Sequence, residues 1–210
     1  MVLQEKIPIP VSPNIATFDF TDIAGGKVWQ RLDAAHLSGN ASAPNNYILT
    51  KNTFYSMLAQ QTQAAAGSTL DIDFDQTLTL PLNIKGEAVV NFLATMTIDS
   101  TDAGTRTGTW TVDLRKYSGT TETSLASGNN SFTKSSTTGG STDVQNMAIY
   151  LDVPKTHFKR DDILRLNMLV EGSGGATRAG FFCDPANRTI TPTTGTATTT
   201  RCTLDIPIKP

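Results

Sequence analysis

The chain is poor in charge and has no long apolar run, and both shortages exclude classes of partner. Charged residues make up 17% of its 210 residues and the net charge is −2, so there is no basic surface for nucleic acid or for an anionic membrane. No apolar stretch approaches the roughly 18 residues that a membrane span requires. The first residues, MVLQEKIPIP, lack the apolar segment of a signal peptide. We therefore expect a protein made in the cytoplasm that binds neither nucleic acid nor membrane.

Cysteine and histidine are equally scarce, with two of each. In the absence of a signal peptide, Cys183 and Cys202 are expected to be buried free thiols of a reducing compartment, and a cross-strand disulfide is the alternative. His36 and His157 belong to no metal or triad signature, so both are expected in solvated positions. The chain has no HExxH, GxSxG, P-loop or GxGxxG motif. These shortages predict that the protein is not an enzyme and holds no cofactor and no metal ion.

Alternation of apolar and polar residues is abundant, and it is clearest in residues 144–171. A period of two indicates strands with one buried face. Pro154 and the charged residues 159–162 interrupt the alternation, which predicts two strands joined by a solvated loop. The apolar positions are Met147, Ile149, Leu151 and Val153 in the first run and Leu164, Leu166, Met168 and Val170 in the second.

The same alternation recurs from residue 70 almost to the end of the chain. About eight to ten strands separated by turn signals favour an all-β fold, an antiparallel two-sheet β-sandwich of the jelly-roll type. Residues 53–66 are rich in Ala and Gln and are followed by Gly67, which predicts one short helix. Residues 118–142 have few apolar side chains and are expected to form an exposed hairpin or loop. We predict an extended arm at residues 1–16 and a single sandwich domain at residues 17–210.

The arm is the first candidate interface. Ile7, Ile9 and Val11 alternate with prolines, and proline at alternate positions keeps a chain extended while removing backbone donors. Such a segment can lie along a sheet edge of its own domain or reach a neighbouring subunit. The sequence leaves these two alternatives open.

The motif DPANR, residues 184–188, is the second candidate interface. Aspartate before proline starts a turn, Asn187 tolerates a left-handed backbone, and Arg188 can reach back to Asp184 across the turn. The motif predicts a rigid corner. In functional terms, Asp184 and Arg188 would present a fixed contact surface to a partner.

Three aspartates, Asp71, Asp73 and Asp75, share one face of a predicted strand. Alternate strand residues lie about 6.6 to 6.8 Å apart, too far for three carboxylates to converge on one Ca²⁺ without a bend in the strand. A solvated or salt-bridged face is therefore expected in place of a metal site.

The order of several segments resembles that of jelly-roll structural proteins of tailed viruses that infect bacteria or archaea. The segments are FDFTDIAGGKVWQRL, NNYILT, LDIDFDQTLTLPLNIKG, VPKTHFKRDDILRLNMLVEG, FFCDPANR and TLDIPIKP. The resemblance implies a capsid decoration or minor capsid protein that forms homo-oligomers, as trimers, and packs against the major capsid protein or other virion proteins. It implies a location in the virion and assigns no role to any single residue.

Two other functions are open at this point. A carbohydrate- or receptor-binding module of a viral tail fibre or spike would use exposed aromatic residues such as Tyr117 and Tyr150 with the loop around Asn129. A glycoside hydrolase would need two carboxylates about 5 to 9.5 Å apart in a cleft, and the sequence identifies no such pair.

Overall fold

The computed structural model describes residues 28–37, 47–52, 60–62, 67–98, 104–135, 141–175, 177–188 and 200–209. Every regular element in these ranges is a β-strand, so the all-β prediction is confirmed for them. None of these residues belongs to a helix long and apolar enough to cross a membrane. The strands are β1 (Val28–His36), β2 (Tyr47–Thr50), β3 (Gln60–Thr62), β4 (Thr69–Thr77), β5 (Leu82–Ile98), β6 (Thr105–Ser118), β7 (Thr121–Ser135), β8 (Ser141–Phe158), β9 (Ile163–Ser173), β10 (Thr177–Phe182) and β11 (Thr203–Lys209).

The strands form one sheet in the order β3-β10-β5-β11-β1-β2-β4-β9-β6-β7, with β8 on the other side of β5. Strand β2 is parallel to β4, and the remaining pairs are antiparallel. With 17 residues, β5 is roughly 55 Å long. It therefore pairs with β11 and then with β10 along one side, while β8 lines the other side over its whole length.

The predicted two-sheet sandwich is not confirmed, because the sheet is continuous and curls into a half-barrel. Strands β11, β1 and β2 carry the ladder from one wall to the other. The curl brings distant strands face to face: Trp110 Nε1 on β6 donates a hydrogen bond to the carbonyl oxygen of Gly180 on β10, at 2.8 Å. Alternation along a strand shows which face is buried, but it does not show which edges pair.

The concave side of the sheet holds the core, and the residues of the two clearest sequence runs lie in it. Met147, Ile149, Leu151 and Val153 of β8, and Leu164, Leu166, Met168 and Val170 of β9, are all buried, as predicted. Phe181 of β10 makes edge-to-face contacts with Phe74 and Phe92, with ring centroids 6.1 and 6.3 Å apart. Both cysteines are free and buried, as expected.

The helix predicted at residues 53–66 is wrong where the structure describes it. Residues 60–62 form strand β3, which pairs with Gly180, Phe181 and Phe182 of β10. The other residues of the predicted helix lie outside the described ranges. Helix propensity is a weak preference, and here the unpaired edge of β10 supplies backbone hydrogen bonds that override it.

Residues 118–142 contain an exposed hairpin strand, which confirms that alternative, but the strand is longer than expected. Strand β7 has 15 residues and pairs with β6 over most of its length. Backbone hydrogen bonds need no apolar side chain, so its serines, threonines and asparagines do not prevent pairing.

The solvated corner predicted between the two strands of residues 144–171 is confirmed only for residues 159–162, because β8 continues through Pro154 and stays paired with β5 as far as Phe158. Asp162 holds this corner. Its carboxylate accepts hydrogen bonds from the Ser118 hydroxyl at 2.6 Å and from the Lys159 backbone N–H at 2.7 Å. These bonds, with the nearby Lys116 ammonium, lower the pKa of Asp162 to about 2. Asp161 completes the corner in the left-handed region, with φ of 68°.

Candidate functional site

A polar pocket lies on the convex face of the sheet, where β1, β11, β5 and β8 run side by side. Its volume is about 500 Å³. We call it the outer-face pocket, and its lining consists of Arg31, Asn91, Phe92, Asn146, Met147, Ala148, Asn187, Arg201 and Thr203.

Strand register explains why polar residues meet there. Asn91 of β5 is aligned with Thr203 of β11 on one side and with Ala148 of β8 on the other. Its neighbours Val90 and Phe92 are buried in the core, so the alternation turns Asn91 outward. The outward positions of four strands thus build one patch from residues that are far apart in the chain.

Arg31 is held by a partner directly opposite it in the ladder. It is aligned with Asp205 of β11. Its Nε and Nη2 donate to the two carboxylate oxygens of Asp205 at 2.7 and 3.0 Å. These hydrogen bonds raise the pKa of Arg31 and fix the plane of a side chain that is 61% exposed.

Among the described residues, Arg201 is held only through its Nε. This atom donates to the carbonyl oxygen of Pro185 at 3.0 Å and lies 3.4 Å from Asp33 Oδ1. No described residue accepts a hydrogen bond from its terminal nitrogens, Nη1 and Nη2. The side chain is 32% exposed at the pocket wall.

Asp33 lies under this wall, and its side chain is 7% exposed. No described residue donates a hydrogen bond to its Oδ1. Burial raises the pKa of Asp33 above its usual value, although the charges of Arg201 and Arg31 oppose this shift. Asp33 pairs in the β1–β11 ladder with Thr203, which itself lines the pocket.

The DPANR corner brings Asn187 to the pocket. The Asp184 carboxylate is fully buried and accepts hydrogen bonds from the Ala186 backbone N–H and from the backbone N–H and Nε of Arg188, at 3.2, 3.1 and 2.7 Å. Asn187 adopts φ of 53°, and its Oδ1 accepts the backbone N–H of Thr200 at 2.9 Å. The predicted rigid corner, including the Arg188 contact, is confirmed.

The interface roles stay predictions. Ile7, Ile9 and Val11 lie outside the described residues. Asp184 is fully buried, so a partner at the corner would contact Arg188, whose side chain is 42% exposed. In the structure, Asp184 stabilises the corner that places Asn187 at the pocket.

We expect Asp184→Asn to lower the free energy of unfolding by about 2 kcal/mol at neutral pH, because it weakens charge-assisted hydrogen bonds to a buried group. Burial by itself would raise the pKa of Asp184, but the hydrogen bonds from Arg188 and its positive charge outweigh burial and lower it. The contribution of a group with a lowered pKa is complete above its unfolded pKa, near 3.8, and is lost as pH falls through the folded value.

Urea unfolding at pH 7 and near pH 3 measures this effect. The difference between the wild type and Asp184→Asn should shrink at the lower pH. Asp161→Asn is the matched control, since Asp161 is 80% exposed and asparagine accepts its left-handed backbone. A difference that is equal at both pH values would contradict the role assigned to the carboxylate.

Other residues singled out in the sequence lie away from this pocket. The expectation for His36 is wrong: it is fully buried at the end of β1, its ring centroid is 4.4 Å from that of Tyr47, and burial lowers its pKa. His157 is on β8, where its Nδ1 lies 2.9 Å from Asn83 Oδ1 in an exposed contact.

The three aspartates of β4 form a salt-bridged face, as predicted. Asn167 Nδ2 donates to Asp71 and Asp73 at 2.6 and 2.8 Å, and Arg165 binds Asp75 with two hydrogen bonds at 2.7 and 2.8 Å. Within the described ranges, no group of three His, Cys, Asp or Glu side chains is placed to share a metal ion.

Sequence reasoning missed the outer-face pocket, although a weak signal was present. Asparagine is depleted in strands, and Asn91 and Asn146 interrupt the runs VVNFLA and DVQNMAIY. An asparagine at such a position indicates an outward strand face on which a polar side chain is needed. The meeting of these residues with Arg31 and Arg201 depends on pairing that no local pattern encodes.

No protein-family model matches the chain. No curated protein sequence matches it either. Solved structures do: a CocE/NonD family hydrolase from Staphylococcus aureus has 11% identity and a TM-score of 0.53, covering 88% of this chain and 37% of its own. An aminopeptidase from the marine sediment archaeon Thaumarchaeota archaeon has 11% identity and a TM-score of 0.52, covering 86% of this chain and 37% of its own. The chain thus spans little more than a third of these hydrolases.

These structures correct the expectations that followed from the viral resemblance. A protein of infectious bursal disease virus has 8% identity and a TM-score of 0.18, over 82% of this chain and 42% of its own, which is too low to support a viral likeness. The two solved structures described above, which share the fold, are hydrolases. The predictions of a capsid decoration or minor capsid protein, of a viral carbohydrate- or receptor-binding module, and of a protein that is not an enzyme are therefore wrong. The predicted homo-trimer and virion location stay predictions.

Proposed function

We propose that this chain serves a hydrolytic reaction as the β-sheet module of a hydrolase, and that its outer-face pocket holds a part of the substrate that is not cleaved. The observation that carries the proposal is the pocket itself, formed by residues of β1, β5, β8 and β11, by Arg201 and by Asn187 of the DPANR corner. The likeness to a CocE/NonD family hydrolase and to an aminopeptidase, over nearly the whole chain, supports placing it in this context.

The pocket has the size and lining of a small-molecule site. Its volume of about 500 Å³ falls within the range of roughly 300 to 1,000 Å³ that such sites occupy. The amides of Asn91 and Asn146 each offer donors and an acceptor, which suits the N–H and C=O groups of a peptide. Peptides are also what the name of the aminopeptidase indicates, so we take a short peptide as the substrate class.

Exposed aromatic rings extend the surface around the pocket. Tyr150 is two residues beyond Ala148 on the same face of β8, and its exposure is 63%. Trp29 stands in the same relation to Arg31 on β1, with an exposure of 44%. Rings at these positions provide flat apolar area for the side chains of a bound peptide.

Binding at a distance from the cleaved bond can serve catalysis. Interactions with remote, non-reacting parts of a substrate offset the cost of orienting the reacting part, so a module without contact to the scissile bond can still raise turnover. In this proposal Asn91, Asn146 and Thr203 position the peptide, and the bond is cleaved elsewhere in the hydrolase.

We expect Ala148→Phe to weaken peptide binding, because Ala148 lines the pocket and the added ring would take up part of its volume. The measurement is an NMR titration of the ¹⁵N-labelled chain with an N-acetylated dipeptide amide at millimolar concentrations. Wild-type shifts should cluster at Asn91, Asn146 and Thr203, and Ala148→Phe should bind at least about tenfold more weakly, a change of about 1.4 kcal/mol.

Gln145→Phe is the matched control, since Gln145 is exposed on β8 and does not line the pocket. It should bind like the wild type, and both variants should keep the wild-type melting temperature. Shifts confined to another surface, or equal binding by Ala148→Phe and the wild type, would contradict the proposal.

A further inference from the structure

The two arginines of the outer-face pocket are anchored at one side of the guanidinium and open at the other. The protein engages Nε of Arg201, through Pro185 and Asp33, and Nε and Nη2 of Arg31, through Asp205. Nη1 and Nη2 of Arg201 and Nη1 of Arg31 donate to no residue in the described part of the chain. Both side chains line the pocket.

This arrangement differs from that of Arg165 and Arg115. Arg165 uses Nε, Nη1 and Nη2 on carboxylates of its own protein. Arg115 likewise uses Nε on Asp113 and Nη2 on Asn167, and its Nη1 lies 3.6 Å from Glu122. An arginine fixed at Nε, with its terminal nitrogens unused, presents the two parallel donors that match the two oxygens of a carboxylate.

The local charges allow a carboxylate to bind. Asp205 and Asp33 balance the charges of Arg31 and Arg201, so the four groups together carry no net charge. A neutral ligand would leave the open side of Arg201 to water. A carboxylate would form charge-assisted hydrogen bonds there, which are roughly twice as strong as neutral ones.

We propose that the outer-face pocket recognises its ligand through a carboxylate that pairs with the terminal nitrogens of Arg201, with Arg31 as a second donor. This inference rests on the proposed function and narrows its substrate class to peptides with a free C-terminal carboxylate. The asparagine amides then contact the peptide groups that precede the carboxylate. Asp33 and Asp205 are positioning residues, because they act on the ligand only through the arginines.

The test compares two ligands that differ only at the recognised group. The full chain is titrated with an N-acetylated dipeptide that ends in a free carboxylate and with the same dipeptide ending in a carboxamide. We expect the wild type to bind the carboxylate form about tenfold more tightly or better. Arg201→Met should remove this preference while its affinity for the carboxamide form stays within about twofold of the wild type.

Two further variants keep the test independent of one substitution. Arg201→Lys retains the charge but not the fork, so it should keep only part of the preference. Arg160→Met removes an arginine that is 75% exposed and outside the pocket, and it should leave the preference unchanged.

The outcomes separate this inference from the function on which it rests. Equal binding of the two ligands by the wild type would overturn the carboxylate inference and leave the peptide-binding function standing. Binding of neither ligand would overturn both. A preference that persists in Arg201→Met would place carboxylate recognition elsewhere and so overturn the inference.

Discussion

Trp110→Ala should lower the free energy of unfolding by about 3 to 5 kcal/mol, the usual cost of removing a large buried aromatic side chain. Trp110 is fully buried and stacks on Phe132, with ring centroids 5.1 Å apart and planes inclined by 10°. Its Nε1 donates to the carbonyl oxygen of Gly180, which links β6 to β10 across the half-barrel. The substitution therefore opens a cavity and leaves a buried carbonyl without its donor.

The close approach of Gly108 shows how tightly this ring is held. A Cβ at residue 108 would lie 2.4 Å from the Cη2 atom of Trp110, so only glycine leaves room for the indole. Gly108→Ala is thus expected to destabilise the protein as well, by the roughly 1 to 3 kcal/mol typical of overpacking. Gly104→Ala is its control, because a Cβ there meets no atom within 4 Å.

Urea unfolding followed by far-ultraviolet circular dichroism measures the Trp110 effect without relying on tryptophan fluorescence. Trp29→Ala is the matched control, since Trp29 is 44% exposed and should lose far less stability. Trp110→Phe keeps most of the apolar volume but not the donor, and it should fall between the two. Equal losses for Trp110→Ala and Trp29→Ala would show that the indole does not join the two walls.

Arg165→Met should lower the free energy of unfolding by about 2 to 3 kcal/mol, less than the roughly 3 to 5 kcal/mol found for fully buried ion pairs because the site is partly exposed. Arg165 binds Asp75 with two hydrogen bonds, and its Nη1 lies 3.1 Å from Asp73 and 3.0 Å from Glu122. The side chain is 19% exposed, and the hydrogen bonds to Asp75 raise its pKa. Without it, three carboxylates on β4 and β7 repel one another.

This repulsion gives the second prediction a distinct readout. Added salt screens like charges, so the loss in Arg165→Met should shrink when the ionic strength is raised to about 1 M, where the screening length is about 3 Å. Arg160→Met is the control, because Arg160 is 75% exposed and its single ion pair is weak, with Nε 3.9 Å from Asp161 Oδ1. A loss that does not respond to salt would indicate that the alkyl chain of Arg165, and not its charge, stabilises the sheet.

Much of the local structure could be predicted from residue patterns. The alternation in residues 144–171 predicted two strands and their buried sides, and β8 and β9 have them. The DPANR motif predicted a corner in which Arg188 binds Asp184, and the two are 2.7 Å apart. These predictions succeed because each depends on residues within a few positions of one another.

The outer-face pocket could not be predicted in this way. Arg31, Asn91, Asn146 and Arg201 come from four separate parts of the chain, and their proximity follows from the pairing of β1, β11, β5 and β8. Each of them taken alone is an ordinary polar residue on an outward strand position. The viral resemblance failed for a related reason: it relied on the order of strands and corners, which many all-β proteins share, and on no chemical signature.

The sequence by itself determined that this is an all-β protein, which side of each long strand is buried, and where the sharp corners lie, because side-chain alternation and turn chemistry act over two to five residues. Only the tertiary structure decided that the strands form a single curled sheet and that residues 60–62 extend it. It also decided that Arg31 and Arg201 line the same pocket. Those outcomes depend on which strand edges pair. Strands pair through backbone N–H and C=O groups, which are nearly the same in every residue, so the side-chain pattern does not specify the partner.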